Sequence, residues 1–110
     1  MHDIRLLKIG RHFRFGRSKI ICGRNETENE TLRQLRGDDD SVFEVAGCVG
    51  PTVVLQGEAA AETAQLAASV AAAYADAGAA EVAVTCRSNG GEREFLVTRP
   101  ARSSLQPYSV

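Results

Sequence analysis

The sequence predicts an α+β fold: a single mixed or antiparallel sheet of about six strands with two helices, in the order β-β-α-β-β-α-β-β. Three observations carry that expectation. Short apolar runs alternate with polar residues at the two-residue period of half-buried strands. Two stretches change to helical spacing and carry start and stop signals. Turn residues such as Gly16-Arg17-Ser18, Gly47–Pro51 and Asn89-Gly90 punctuate the runs at short intervals. At 110 residues, 44% hydrophobic and 25% charged, the chain fits one ordinary soluble domain, expected over residues 1–99 with a tail over 100–110.

Ile4 to Ile9 and His12 to Phe15 read as a strand interrupted near Gly10. Phe13 and Phe15 alternate with His12 and Arg14, giving one apolar and one cationic face. After the Gly16-Arg17-Ser18 turn, Lys19 to Cys22 return as a second strand that ends at Gly23. Asn25 with Glu28 three residues later approximates a capping box. Glu26, Glu28 and Glu30 suit the positive end of a helix dipole. Leu32 and Leu35 supply the buried edge of this helix, and Gly37 stops it. Asp38-Asp39-Asp40 reads as a solvated acidic turn.

Val42 to Ala46 and Thr52 to Gln56 are expected as short strands. Glu58 to Ala77 form an Ala-rich helix closed by Gly78, with Leu66, Val70 and Tyr74 on one stripe. Glu81 to Arg87 and Glu92 to Thr98 pair through Asn89-Gly90, a type I′ turn signal. From Pro100 onward the chain reads as a loop-like tail.

The formal net charge of −1 conceals a division. Residues 1–36 hold nine Lys/Arg against four acids, a surplus of +5, and the remaining 74 hold four against ten, or −6. Opposed halves either pair with each other or present a basic face to a polyanion. Cys22, Cys48 and Cys86 form no CxxC or CxxH pair, which argues against a zinc or redox site. Cys22 and Cys86 sit in apolar runs and read as buried, whereas Cys48 lies in a Gly-flanked loop. No signal peptide is recognisable and no apolar run approaches the ~20 residues that span a bilayer, so the expected setting is cytoplasmic, away from membranes.

Neither a Walker loop, a GxGxxG fingerprint, a GxSxG elbow nor an HExxH pair is present. His12 is the one ordered candidate for acid–base work and has no Ser, Cys or carboxylate near it in sequence. The expectation is a domain that is not an enzyme, with no catalytic residues, no metal and no cofactor. Phosphate binding has more to offer. Gly23-Arg24-Asn25 leads from a strand into a helix, where backbone N–H groups point outward. Arg24 adds a fork suited to phosphate, and Lys8, Arg11, His12, Arg14 and Lys19 lie on the adjoining hairpin. These residues alone leave two readings open, with an ordinary Asn cap beside a solvated basic hairpin slightly ahead of a phosphate site.

The runs Lys19–Leu32, Asp40–Phe43 and Gly50–Leu55 together resemble the NFACT RNA-binding (NFACT-R) domain. That family shows a G-[RK]-N-x-x-x-N-x-x-L element, here Gly23 to Leu32, an Asp-led aromatic strand and a Pro loop before a β-branched strand. The helix from Ala59 to Tyr74 fits its Ala- and Tyr-containing helix. The lead-in Leu6 to Phe15 is similar to the version found at the C-terminus of tRNA thiouridylase-like proteins, as is the close Leu105-Gln106-Pro107. Val42-Phe43-Glu44 stands where the ribosome-rescue branch has Trp-Phe-His, and Gly50-Pro51-Thr52-Val53 replaces a Pro-Gly-Ser-His loop. The thiouridylase loop SGGxDS is absent, so thiolation chemistry does not carry over.

What the resemblance implies is an RNA-binding accessory domain, for tRNA above all, associated with tRNA thiolation or modification and recognising phosphate backbone and shape. Lys8, Arg11, His12, Arg14, Lys19 and Arg24 would meet phosphates. Asn25 and Asn29 would shape the turn, Asn29 either touching RNA or buried against backbone. The implied partners are RNA and a tRNA thiouridylase-like enzyme in cis or in trans. The rival readings are a protein-interaction module docking on such an enzyme or on the ribosome, and a small enzyme or nucleotide binder built on His12 and Gly23-Arg24-Asn25.

Overall fold

The computed structural model describes residues 10–16, 18–35, 37, 40–56, 61–76, 80–88 and 91–109. Its strands are β1 Arg11–Phe15, β2 Ser18–Cys22, β3 Ser41–Val45, β4 Thr52–Gln56, β5 Glu81–Ser88 and β6 Gly91–Thr98. Helix α1 spans Glu26–Leu35 and α2 spans Ala61–Ala73, and a 3₁₀ helix covers Arg102–Tyr108. All strand pairs are antiparallel, in the order β1-β2-β4-β3-β5-β6. The α+β expectation holds, with the sheet antiparallel throughout.

Strand pleating divides the core in two. Ile20, Cys22, Phe43, Val53 and Leu55 point to one face and pack under α2. Ile21, Val42 and Val54 point to the other and meet Leu32 of α1. β4, buried from Thr52 through Leu55, therefore carries both layers and reads as a continuous apolar run. On α2, Ala64, Ala67, Ala68, Ala71 and Ala72 are fully buried together with Val70. A helix whose inner side is mostly methyl groups lies close to its sheet and buries more than one stripe. Leu66 and Tyr74 pack against the core but are only partly covered, and Tyr74 sits just past the end of α2.

Several expectations need correction. The tail is not a loop: Arg102–Tyr108 is helical, Leu105 is buried, and Tyr108 meets Phe15 edge-on at 5.7 Å between ring centroids. Ser109 then bridges to Phe13 of β1. A short 3₁₀ turn held by one apolar side chain has no period that a sequence can display. Asp40 is buried instead of solvated, and its Oδ2 accepts the Gly37 N–H at 2.7 Å. The turn is closed by its own carboxylate. Within the expected second helix, the described helical residues run from Ala61 to Ala73.

Lys8 and the expected strand Ile4 to Ile9 lie outside the described residues, as do Asp38, Asp39 and the Asn89-Gly90 turn. The register Ser88↔Gly91 does leave a two-residue connection there. No helix among the described residues is long and apolar enough to cross a membrane.

Candidate functional site

The junction between β2 and α1 is built by close packing. The Gly23 N–H extends the ladder to Thr52 O at 3.0 Å, and the Thr52 N–H turns aside to Asn29 Oδ1, also at 3.0 Å. A Cβ on Gly23 would collide with that Asn29 oxygen. Asn29 is 5% exposed, and its Oδ1 serves the backbone of β4. Of its two expected roles, the structure gives it the buried one. Asn25 caps α1, with its Oδ1 accepting the Glu28 N–H at 2.9 Å. The returning arm of the capping box lands one residue early, because Glu28 Oε1 accepts the N–H of Arg24 at 2.9 Å, not that of Asn25.

Glu28 also takes the Arg24 side chain as a fork, Nε to Oε1 at 3.0 Å and Nη2 to Oε2 at 2.8 Å. These hydrogen bonds, with further ones from the N–H groups of Arg24 and Gly10, hold its carboxyl down at about 2 against desolvation. The Gly10 backbone sits at φ +75°, and a Cβ there would lie 2.7 Å from Cys22 O. Only glycine lets the lead-in approach β2 this closely. Arg24 is thus neutralised by its own helix, which reduces what its charge offers an anion.

The remaining basic residues are sorted by the pleat. His12 is opposite Ile21 and Arg14 is opposite Lys19, so these basic side chains share the α1 face of the β1–β2 hairpin. Arg11, opposite Cys22, falls on the other face, where its guanidinium lies 4.6 Å from the centroid of the Tyr74 ring. Arg102, from the 3₁₀ helix, lies 4.8 Å from the same ring and reaches the Ala73 carbonyl at 3.4 Å through Nε. Each guanidinium gains from the ring's quadrupole, yet together they place two positive charges on one tyrosine. Tyr74 and Arg102 escaped the sequence reading. The one counted as a core-stripe residue and the other fell in a tail that lacked any pattern. The Leu105-Gln106-Pro107 resemblance was the one pattern that this tail offered.

Two clefts meet at this Arg11–Tyr74–Arg102 wall. One, of about 300 Å³, runs past Arg24, Asn25, Val49 and Pro51, with the carboxylates of Glu26 and Asp76 on its lining. The other, of about 480 Å³, continues past Gly10, His12, Ser103 and Gln106, and no acid among the described residues lines it. Two other arginines are matched, whereas Arg93 lies over the Phe95 ring at 5.3 Å with no ion pair among the described residues. Arg33 contacts Glu26, Glu30 and Glu44, and Arg87 contacts Glu92 and Glu44. Among the described residues, Arg11, Arg14, Lys19 and Arg102 have no acid within ion-pair distance.

Burial pushes the Cys22 thiol up to about 12 and the Cys86 thiol upward as well, which disfavours the reactive thiolate. No group of three or more metal-ligating side chains occurs among the described residues. The arrangement is suited to holding an anion with an aromatic beside it.

The family described as NFACT protein RNA binding domain matches residues 10–108. The fold is similar to the C-terminal part of a fibronectin/fibrinogen-binding protein from Streptococcus suis, with a TM-score of 0.78 over 93% of this chain. At 19% identity that likeness shows the fold alone, and the chain spans about half (49%) of the length of that structure. No curated protein matches in sequence.

Proposed function

The chain belongs to the NFACT RNA-binding domain family, and on that premise we propose that it binds tRNA by its phosphate backbone and shape. In this reading it is a cytoplasmic accessory domain, beside or fused to a tRNA-modifying enzyme of the thiouridylase-like kind, and does no chemistry itself. One observation carries the RNA contact. Arg11 and Arg14 of β1, Lys19 of β2 and Arg102 of the 3₁₀ helix have no ion-pair partner among the described residues, whereas Arg24, Arg33 and Arg87 are matched. Arg14 and Lys19 even stand opposite each other across the hairpin, a like-charge pairing that costs stability until a polyanion covers it. The restriction to tRNA, and to a thiolation partner, rests on the likeness of Leu6–Phe15 and Leu105–Pro107 to those C-terminal domains.

Titration of labelled tRNA across a salt series tests the reading. The logarithm of affinity should fall against that of salt with a slope of about −0.7 to −0.9 for each phosphate neutralised. An Arg11→Glu, Arg14→Glu double variant should bind at least about tenfold more weakly and with a shallower slope. Salt-independent binding, or undiminished binding by that variant, would sink the proposal.

The exposure of Val49 (76%) and Leu96 (70%) favours a second reading, docking on a tRNA-modifying enzyme or the ribosome without direct RNA contact. A partner retained after nuclease treatment supports that version, and one released by nuclease supports RNA binding.

A further inference from the structure

We infer that the paired clefts seat one unpaired nucleotide of the bound RNA, with its phosphate on the Ser103–Gln106 side and its base between Tyr74 and Val49. This deepens the RNA-binding reading and rests on it.

The two clefts differ chemically although they share the Arg11–Tyr74–Arg102 wall. Glu26 and Asp76 line the smaller one, where they would repel a phosphate yet can accept hydrogen bonds from the amino groups of a base. Among the described residues no acid lines the larger one, and Ser103 and Gln106 add neutral polar groups to its two guanidiniums. An anion is favoured there and disfavoured next door. The smaller cleft also offers what a base needs: the Tyr74 ring, guanidiniums with which bases stack, and the apolar surfaces of Val49 and Pro51. Val49 stands 76% exposed at this site, its backbone held by the Asp76 N–H at 2.7 Å while its side chain faces outward. A volume of about 300 Å³ sits at the lower end of the roughly 300–1,000 Å³ range of small-ligand sites, enough for a single base and not for a stacked run. A base held inside a duplex cannot enter such a recess, so the preference is for loops, bulges or ends.

The experiment compares two RNAs of equal phosphate number, a stem–loop and a blunt duplex, with 2-aminopurine placed in turn at each loop position. The unaltered protein should bind the stem–loop about tenfold more tightly than the duplex, within the range expected for stacking one base. One loop position should show a large change in 2-aminopurine fluorescence on binding. In Val49→Asp, and in Tyr74→Leu shown to be folded by its thermal transition, the ratio of the two affinities should fall close to one. Equal affinity for both RNAs in the unaltered protein overturns the nucleotide seat while leaving backbone binding intact. A preference that survives both substitutions overturns it too. Binding to neither RNA removes the RNA reading itself, and the seat with it.

Discussion

Arg24 and Glu28 are joined one helical turn apart by a two-pronged fork whose carboxylate also accepts the backbone N–H of Arg24. A charge that the sequence offers to an incoming phosphate is therefore engaged at home. Its contribution is to fix the start of α1 beside the lead-in turn at Gly10.

This pair predicts an acid-sensitive step in stability. Glu28 is held near 2, below its ordinary 4.5, so its contribution is complete above about 4.5 and is lost as the pH falls through about 2. Chemical denaturation at pH 5 and at pH 2.5 should show that loss, and Glu28→Gln should flatten it. An unchanged pH slope in Glu28→Gln would refute the assignment.

Opposed effects on stability and binding are expected at the Arg14–Lys19 pair. Replacing either residue by Gln removes a like-charge contact and should raise stability by about 0.2–1 kcal/mol, while lowering RNA affinity and reducing the salt slope by about one contact. Arg87→Gln, at a matched ion pair, should leave RNA binding as it was.

Gly23 and Asn29 should prove intolerant for a packing reason. Asn29→Leu leaves the buried Thr52 N–H without its acceptor, at about 1–3 kcal/mol. Gly23→Ala drives a methyl into the Asn29 amide and should cost a similar amount. Both appear as a lower denaturation midpoint with the same m-value.

The alanines of α2 are required for their size. Ala67→Leu or Ala71→Leu, at positions with no exposure, forces the helix from the sheet and should cost about 1–3 kcal/mol. Ala61→Leu, at an exposed site near the helix start, should be within about 0.5 kcal/mol of neutral. Thermal unfolding of the three variants checks the contrast.

Local patterns made most of the fold legible. Thr52 to Gln56 declares itself as a strand by its β-branched run, and the alternation of Phe13 and Phe15 with His12 and Arg14 already contains the two faces of β1. The Asn25 cap was readable because it depends on neighbours three residues apart. What stayed hidden depends on residues distant in sequence. Arg102 acquires meaning only once the 3₁₀ helix folds back on β1, and Tyr74 looks like one more member of an apolar stripe until two guanidiniums reach its ring. The buried state of Asp40 was equally invisible, since three consecutive aspartates read as solvent-facing whichever of them turns inward.

The bridge between Phe13 and Ser109 has a kinetic consequence. It joins the first described strand to the last described turn, so its formation bears the largest loop-closure entropy in the sheet. Opening of that contact would part β1 from the 3₁₀ helix without disturbing the centre of the sheet. Both clefts take residues from β1 and from the 3₁₀ helix on either side of that closure. A ligand lodged there acts as a clasp, lowering the population of the opened form in proportion to its occupancy. Amide exchange around Phe13 and Leu105 should accordingly slow on RNA binding, well before protection changes in β4.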